Sequence, residues 1–303
     1  MEHEMKEQPE RPERSDDAAV STASRRETLE AAVAPEKSCS TCAREATAVS
    51  FVYAIGRVEA RFANLGAEKE FAQATGRADT AGKTDQQTFH AVLSKRENRY
   101  LARQICWVFI IQGLETYLLR PRDPADTELL VEAIRPAPSP DDIDVLIGLR
   151  GPIAPPEMCN GLMVPVVAFD QIYSFARETF IRSIPKPDKM TAEEFAPTAS
   201  ELFDRIMQMA DNAGATDEHR ALNYLAVRYP TIYERTIDCF GRNHWLTAVD
   251  VRRSRLSGTR NVVDVIFVYS HRQIEVTEKY FVRVDVTEEF PFLVTKMSPY
   301  YDR

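Results

Sequence analysis

From Leu246 onward the period of the sequence switches to two: TAVDVRRSRL, NVVDVIFVYS, EKYFVRVDV and FLVTKM are strand-like runs. Ser257-Gly258 joins the first two runs, so an antiparallel meander is predicted. Ahead of it the period is helical. Thr198 with Glu201 is a capping-box pattern followed by Leu202, Ile206 and Met209 on one face, and Leu222, Leu225, Ala226 and Tyr229 repeat the spacing until Pro230. A helical pair followed by a meander predicts an α+β domain over 198–303.

Upstream the pattern is mixed. FVYAIGRVEARF reads as a strand, AEKEFAQATG as a short helix ended near Gly76, and Asp85 opens a second helix through Phe89, Val92 and Leu93. In RYLARQICWVFIIQGLETYLLRP the apolar run predicts central strands, with helix before Ile105 and a break or bulge at Gly113. Asp126 or Thr127 can cap ELLVEAI, IDVLIGLRG reads as a strand, and PIAPPEMCNGLMVPVVAF reads as an irregular surface segment with an Asn-Gly turn around Cys159. Pro185, Pro187 and Pro197 mark a linker, so 39–187 is predicted as a first α+β domain and 198–303 as the second. Residues 1–38 hold ten acids, six bases and no Phe, Tyr or Trp, which predicts a disordered tail.

Charge narrows the partners. With 38 basic against 46 acidic side chains the net charge is −8, which argues against nucleic acid bound through phosphate neutralisation. The longest apolar run, Ile105 to Ile111, ends at Gln112, far short of the roughly twenty residues a membrane span needs. Without an apolar N-terminal signal the chain is expected to be cytoplasmic, and five cysteines there suit thiols or metal thiolates better than a disulfide framework.

The sharpest chemical signal is CSTC. Cys39 and Cys42 can both face one Zn²⁺, with Cys159 as third ligand and Cys106 as fourth, Cys239 or a His being the other candidates for that place. The competing readings are plain thiols, with Cys106 and Cys239 as small buried hydrophobes, or a redox pair. None of His3, His90, His219, His244 and His271 stands at a recognised spacing from a nucleophile or orienting carboxylate. Asp141, Asp142 and Asp144 read as a loop entering a strand more readily than as a cation site, since no Gly-containing ligand loop accompanies them. SGTR reads as a turn. GxGxxG, P-loop, HExxH and GxSxG motifs are absent from the sequence.

FVYAIGRVEARF, EKEFAQATGRADT, NRYLARQICWVFIIQGLETYLLRPRDPAD, IRPAPSPDDIDVLIGLRGPIAPPEMCNGLMVPVVAFDQIYSF and SGTRNVVDVIFVYSHRQIEVTEKYFVRVDVTEEFPFLVTKMSPYYDR together resemble the C-terminal region of the cyanobactin maturation proteases, the PatA/PatG family. The resemblance runs from Cys39 to Arg303. It implies a place in the maturation of ribosomally made, modified peptides. In that family the region follows a subtilisin-like protease domain, whose triad has no counterpart here, so no catalytic residues carry over.

The leading expectation is a non-catalytic accessory or interaction module that binds a precursor peptide, a maturation protease or a modifying enzyme, without nucleic acid or membrane and with a homodimer as one form open to it. The alternative is a zinc-dependent enzyme acting on a modified peptide. A third is a structural domain in which zinc only staples the tail to the core.

Overall fold

The strand expected at 51–62 is β1 (Ser50–Phe62), long enough to serve two neighbours in turn. The computed structural model describes residues 50–76, 82–186, 191–207 and 212–301. Ser50–Gly56 pairs with β4 (Asp142–Ile153), and Arg57–Phe62 pairs with β2 (Ile105–Ile111). From β2 the chain turns at Gln112-Gly113 into β3 (Leu114–Pro121), where the sequence placed a break. β3 runs parallel to β5 (Pro165–Ala176), and β5 pairs antiparallel with β4, closing a barrel in the order β1-β2-β3-β5-β4.

Between β1 and β2 stand α1 (Leu65–Thr75), α2 (Asp85–Leu93) and the single turn α3 (Arg99–Ala102), and between β3 and β4 stands α4 (Thr127–Ala133). Local chemistry sets the helix starts. Asn64 accepts the Ala67 N–H, and Thr84 with Gln87 forms a reciprocal capping box. A five-stranded barrel in this order, with a parallel β3/β5 pair and a helix before β4, is of the OB type.

Val52, Trp107, Phe109, Tyr117, Leu146 and Phe169 fill the barrel interior, and Phe71, Phe89 and Leu130 cover it from the helices. One carboxylate sits among them. Asp144, 2% exposed, accepts the Val58 N–H at 2.7 Å and the Ser174 hydroxyl, so it ties β4 to β1 and β5 where β1 changes partners. Burial raises its pKa to about 6, although both hydrogen bonds and Arg135 pull the other way. Asp142 is spent on Arg135 at 2.6 Å and the Ser139 N–H at 2.7 Å, and both Asp142 and Asp144 lie inside β4, where the sequence placed them in a loop ahead of the strand.

The second half packs α5 (Arg177–Ser183), α6 (Ala192–Met207), α7 (Asp217–Arg228) and α8 (Thr231–Gly241) on one face of a sheet in the order β6 (His244–Arg253), β7 (Val262–His271), β8 (Thr277–Asp285), β9 (Phe292–Pro299). The meander and the α+β class are as expected. Two local details differ. α6 starts before Pro197 and runs through it, because Phe195, Ala199, Leu202 and Phe203 share one buried face whose packing outweighs the proline's penalty. α8 adds a third long helix, whose Ile232, Tyr233 and Ile237 are buried.

The linker expected around 187 gives way to a wider packing unit, Ala48 to Arg303. One apolar cluster joins Tyr53, Ile55, Val145 and Ile147 from the barrel with Leu202, Leu225, Val265 and Val282 from the second half. Composition marked the polar joint but could not show that the outer face of β1 and β4 is apolar for the helices' sake. Residues 1–38, expected as a tail, and 187–190 lie outside the described residues.

Polar ties reinforce this cluster. The Tyr53 N–H donates to the Gly214 carbonyl at 2.9 Å, Asn223 Nδ2 donates to the Tyr53 carbonyl at 2.8 Å, and Asn223 and Asn212 exchange side-chain amide hydrogen bonds. Gly214 has φ +71°, and a Cβ there would lie 2.4 Å from the Tyr53 oxygen. Gly214→Ala is therefore expected to lower the unfolding free energy by about 3 kcal/mol, combining left-handed strain with overpacking. Urea melts measure it, and a loss below about 0.5 kcal/mol, the usual effect of a surface change, would contradict the tie.

Asp144 yields a pH signature. Its folded pKa exceeds the unfolded one, so the native state binds the extra proton between the two values, and this group's contribution is full below about 4 and lost as pH rises through about 6. Relative to wild type, Asp144→Asn should gain on the order of 3 kcal/mol between pH 4 and pH 8, from roughly two pK units at about 1.4 kcal/mol each. Melts of both proteins across that range test it; a pH-independent difference would contradict the assignment.

Candidate functional site

The second sheet ends in two unlike edges. At β6 the Arg205 guanidinium donates to the Leu246 carbonyl at 3.0 Å, so α6 already occupies part of that backbone. β9 pairs with β8 on one side and has no strand on the other among the described residues. Its alternation sends Leu293 and Met297 into the core and leaves Phe292 and Val294 47% and 42% exposed, with Phe290 beside them at 46%. The Tyr229 hydroxyl accepts the Met297 N–H at 2.9 Å, capping the end of the strand and leaving the stretch before it uncapped. Soluble proteins usually guard such an edge with charge or proline; here Pro291 stands just before the strand and Lys296 and Pro299 toward its end, which leaves Phe292 to Thr295 without either.

The turn that feeds β9 is held from two sides. Arg220 of α7, 2% exposed, donates to the carbonyls of Val286 at 2.8 Å, Glu289 at 3.3 Å and Glu288, and lies over the Phe51 ring at 5.1 Å. Arg122, after β3, pairs with Glu289 at 2.8 Å and Asp170 at 3.1 Å. Arg260 lies over the Phe292 ring at 5.2 Å and fixes its face. The edge is thus a positioned surface: an extended segment can add backbone hydrogen bonds to β9 while its alternate side chains meet Phe292 and Val294.

The cysteines arrange differently from the expected zinc set. Cys106 on β2 and Cys159 in the β4–β5 connection are joined as a disulfide with Cα atoms 5.6 Å apart. In this form neither sulfur is a thiolate, and metal ligation needs thiolates. The preference for thiols over a disulfide read from the cysteine count is corrected by this pair: the count could not show that a strand and a distant loop meet. Cys39 and Cys42 lie outside the described residues. Cys239 is a buried free thiol, pushed up to about 11 chiefly by burial, and reads as a small hydrophobe. Among the described residues no group of three or more His, Cys, Asp or Glu side chains is placed to hold a metal ion.

A cleft of about 230 Å³ beside the barrel is lined by His90, Ser94, Arg99, Arg103, Glu128 and Glu132 among others. Ser94 Oγ stands 3.2 Å from His90 Nε2, yet its proton goes to the His90 carbonyl at 2.7 Å. The hydroxyl proton is thus engaged by the helix backbone. Burial lowers the His90 pKa. His244 places Nδ1 2.9 Å from the Arg242 carbonyl and Nε2 3.7 Å from Glu278, whose nearer partner is Arg242 at 2.6 Å. His219 sits in the first turn of α7, and no helix among the described residues is long and apolar enough to cross a membrane.

Residues 189–300 match the family model described as PatG C-terminal. A solved structure described as the PatG domain of unknown function resembles this one with a TM-score of 0.68 at 17% sequence identity, over 82% of this chain and 98% of that one. No curated protein matches the chain. The PatG resemblance read from the sequence therefore holds for the C-terminal region and for the fold.

Arg220 is the buried cation on which the feeding turn depends. Arg220→Met should destabilise the protein by about 3 kcal/mol, since it leaves buried carbonyls without donors. It should also raise amide exchange across 286–292 more than in β7. Uniform change across both segments would contradict a local anchoring role.

Proposed function

We propose, from the premise that residues 189–300 form a PatG C-terminal region on a PatG-type fold, that the chain is a non-catalytic recognition module in cyanobactin-like peptide maturation. It captures an extended segment of the precursor peptide on the β9 edge and leaves bond-making to a partner protease or modifying enzyme. The observation that carries this reading is the edge itself: a strand paired on one side only among the described residues, with Phe292 and Val294 exposed on it and the turn that feeds it anchored by Arg220. Strand addition gives affinity through main-chain hydrogen bonds, which suits a partner whose sequence varies. Apolar side chains at alternate peptide positions are the ones that gain from meeting Phe292 and Val294.

The test is an anisotropy titration of labelled precursor peptide against the full chain. Saturable binding in the micromolar range is expected. The double variant Phe292→Ser, Val294→Ser, both exposed positions where the fold tolerates change, should weaken it about tenfold, or about 1.4 kcal/mol. The peptide's mass should be unchanged after incubation. Absence of binding at high micromolar concentration overturns the proposal, and equal affinity of the double variant removes the edge from it.

A further inference from the structure

The connection between β4 and β5 does not hang free. Residues 154–164 fold back over the outer face of β2 and β3, where Ala154, Met158, Leu162 and Val164 pack on Val108, Ile110 and Leu118. This is why β2 is buried along its whole length: the barrel core covers one face and this strap the other. The strap is internally well formed. Gly161 donates to Pro156 at 2.7 Å, Ala154 to Val164 at 2.9 Å, and Leu162 to Cys159 at 2.8 Å across an Asn160-Gly161 turn with φ +44° and +89°.

Its hold on the barrel is slighter. The Asn160 N–H donates to the Ala63 carbonyl at 3.1 Å, and Met158, Leu162 and Val164 are only half-buried. The strong tie is covalent, Cys159 to Cys106 near the start of β2 on the covered face. In OB-type barrels the outer face of strands 2 and 3, with the loops flanking it, is the surface that takes ligands. By that fold-level analogy the strap lies where a ligand would.

We propose that the Cys106–Cys159 bond is a redox latch: reduction releases the strap 154–164 and bares the apolar face of Val108, Ile110 and Leu118. The electrons come from a dithiol reductant. One of its thiolates attacks a sulfur of the pair, forming a mixed disulfide and freeing one cysteine thiolate. Its second thiol then closes the reductant's own disulfide and frees the other cysteine, so two electrons and two protons pass to Cys106 and Cys159. Both sulfurs lie in buried residues, 5% and 3% exposed, so attack waits on local opening of the strap. The released strap keeps its own turn but loses its anchor, whereas the second sheet, with no residue in this cluster, is unaffected.

Hydrogen exchange of the full chain, read by mass spectrometry before and after dithiothreitol, tests the latch, with alkylation confirming two new thiols at Cys106 and Cys159. Exchange across 156–164 should accelerate by about tenfold or more while β7 and β8 stay protected, as for a local opening rather than a global one. The variant Cys106→Ser, Cys159→Ser should reproduce this without reductant. Unchanged strap protection after full reduction would overturn the proposal. Loss of protection in β7 and β8 as well would overturn it too, because the bond would then hold the whole fold rather than the strap.

Discussion

The contact on which the arrangement depends is the one that fastens the helical layer to the barrel at Tyr53. There the backbone of β1 is claimed twice by the second half of the chain, through the Gly214 carbonyl and the Asn223 amide, while the Tyr53 ring enters the shared apolar cluster. Buried backbone groups must find partners, and these two bonds satisfy groups that β4 and β2 leave open as β1 passes between them. Asn223 and Arg220 both lie on α7, one face of which therefore fixes the barrel while a neighbouring position fixes the turn before β9. The exposed edge is held still by the same helix that makes the two halves one body.

Much of this was legible. The meander, with strands at Val262–His271 and Thr277–Asp285, follows from the strand-like runs, and the helix opening at Asp85 and the helical spacing of Leu222, Leu225 and Ala226 mark helices that form. The Asn160-Gly161 signal marks a real turn. What could not be read is long-range. β2 looked like a central strand because it is apolar on both faces, but nothing local told that its outer face is covered by the Pro-rich segment and not by another sheet. The pairing of Cys106 with Cys159 depends on that cover. Pro197 misled because a proline's local cost is visible in sequence while the burial of Phe195 and Ala199 that offsets it is not.

The shifted titratable groups of the described residues belong to the packing of the fold. Each has a structural cause: Asp144 is raised by burial at a strand crossing, Cys239 by its apolar surroundings, and Glu278 is lowered by its bond to Arg242. None of these three faces a cleft beside a nucleophile, the arrangement that marks catalytic use of a shifted pKa; His90, lowered by burial, does line one beside Ser94, whose hydroxyl donates to the His90 carbonyl. The candidate site was missed as particular residues in the sequence because exposure of Phe292 and Val294 is a fact about the end of a sheet. Alternation alone does not tell an edge strand from a central one, although the apolar residues at both parities of FLVTKM were the available hint.

The central claim is that β9 receives an extended peptide and that the chain leaves it chemically intact. Amide exchange of the full protein with and without saturating precursor peptide addresses it most directly, with the peptide's mass followed in the same samples. The account requires new protection concentrated in residues 290–298 and a peptide of unchanged mass. Protection elsewhere with β9 untouched, or a peptide cut or joined by the purified chain, would contradict it.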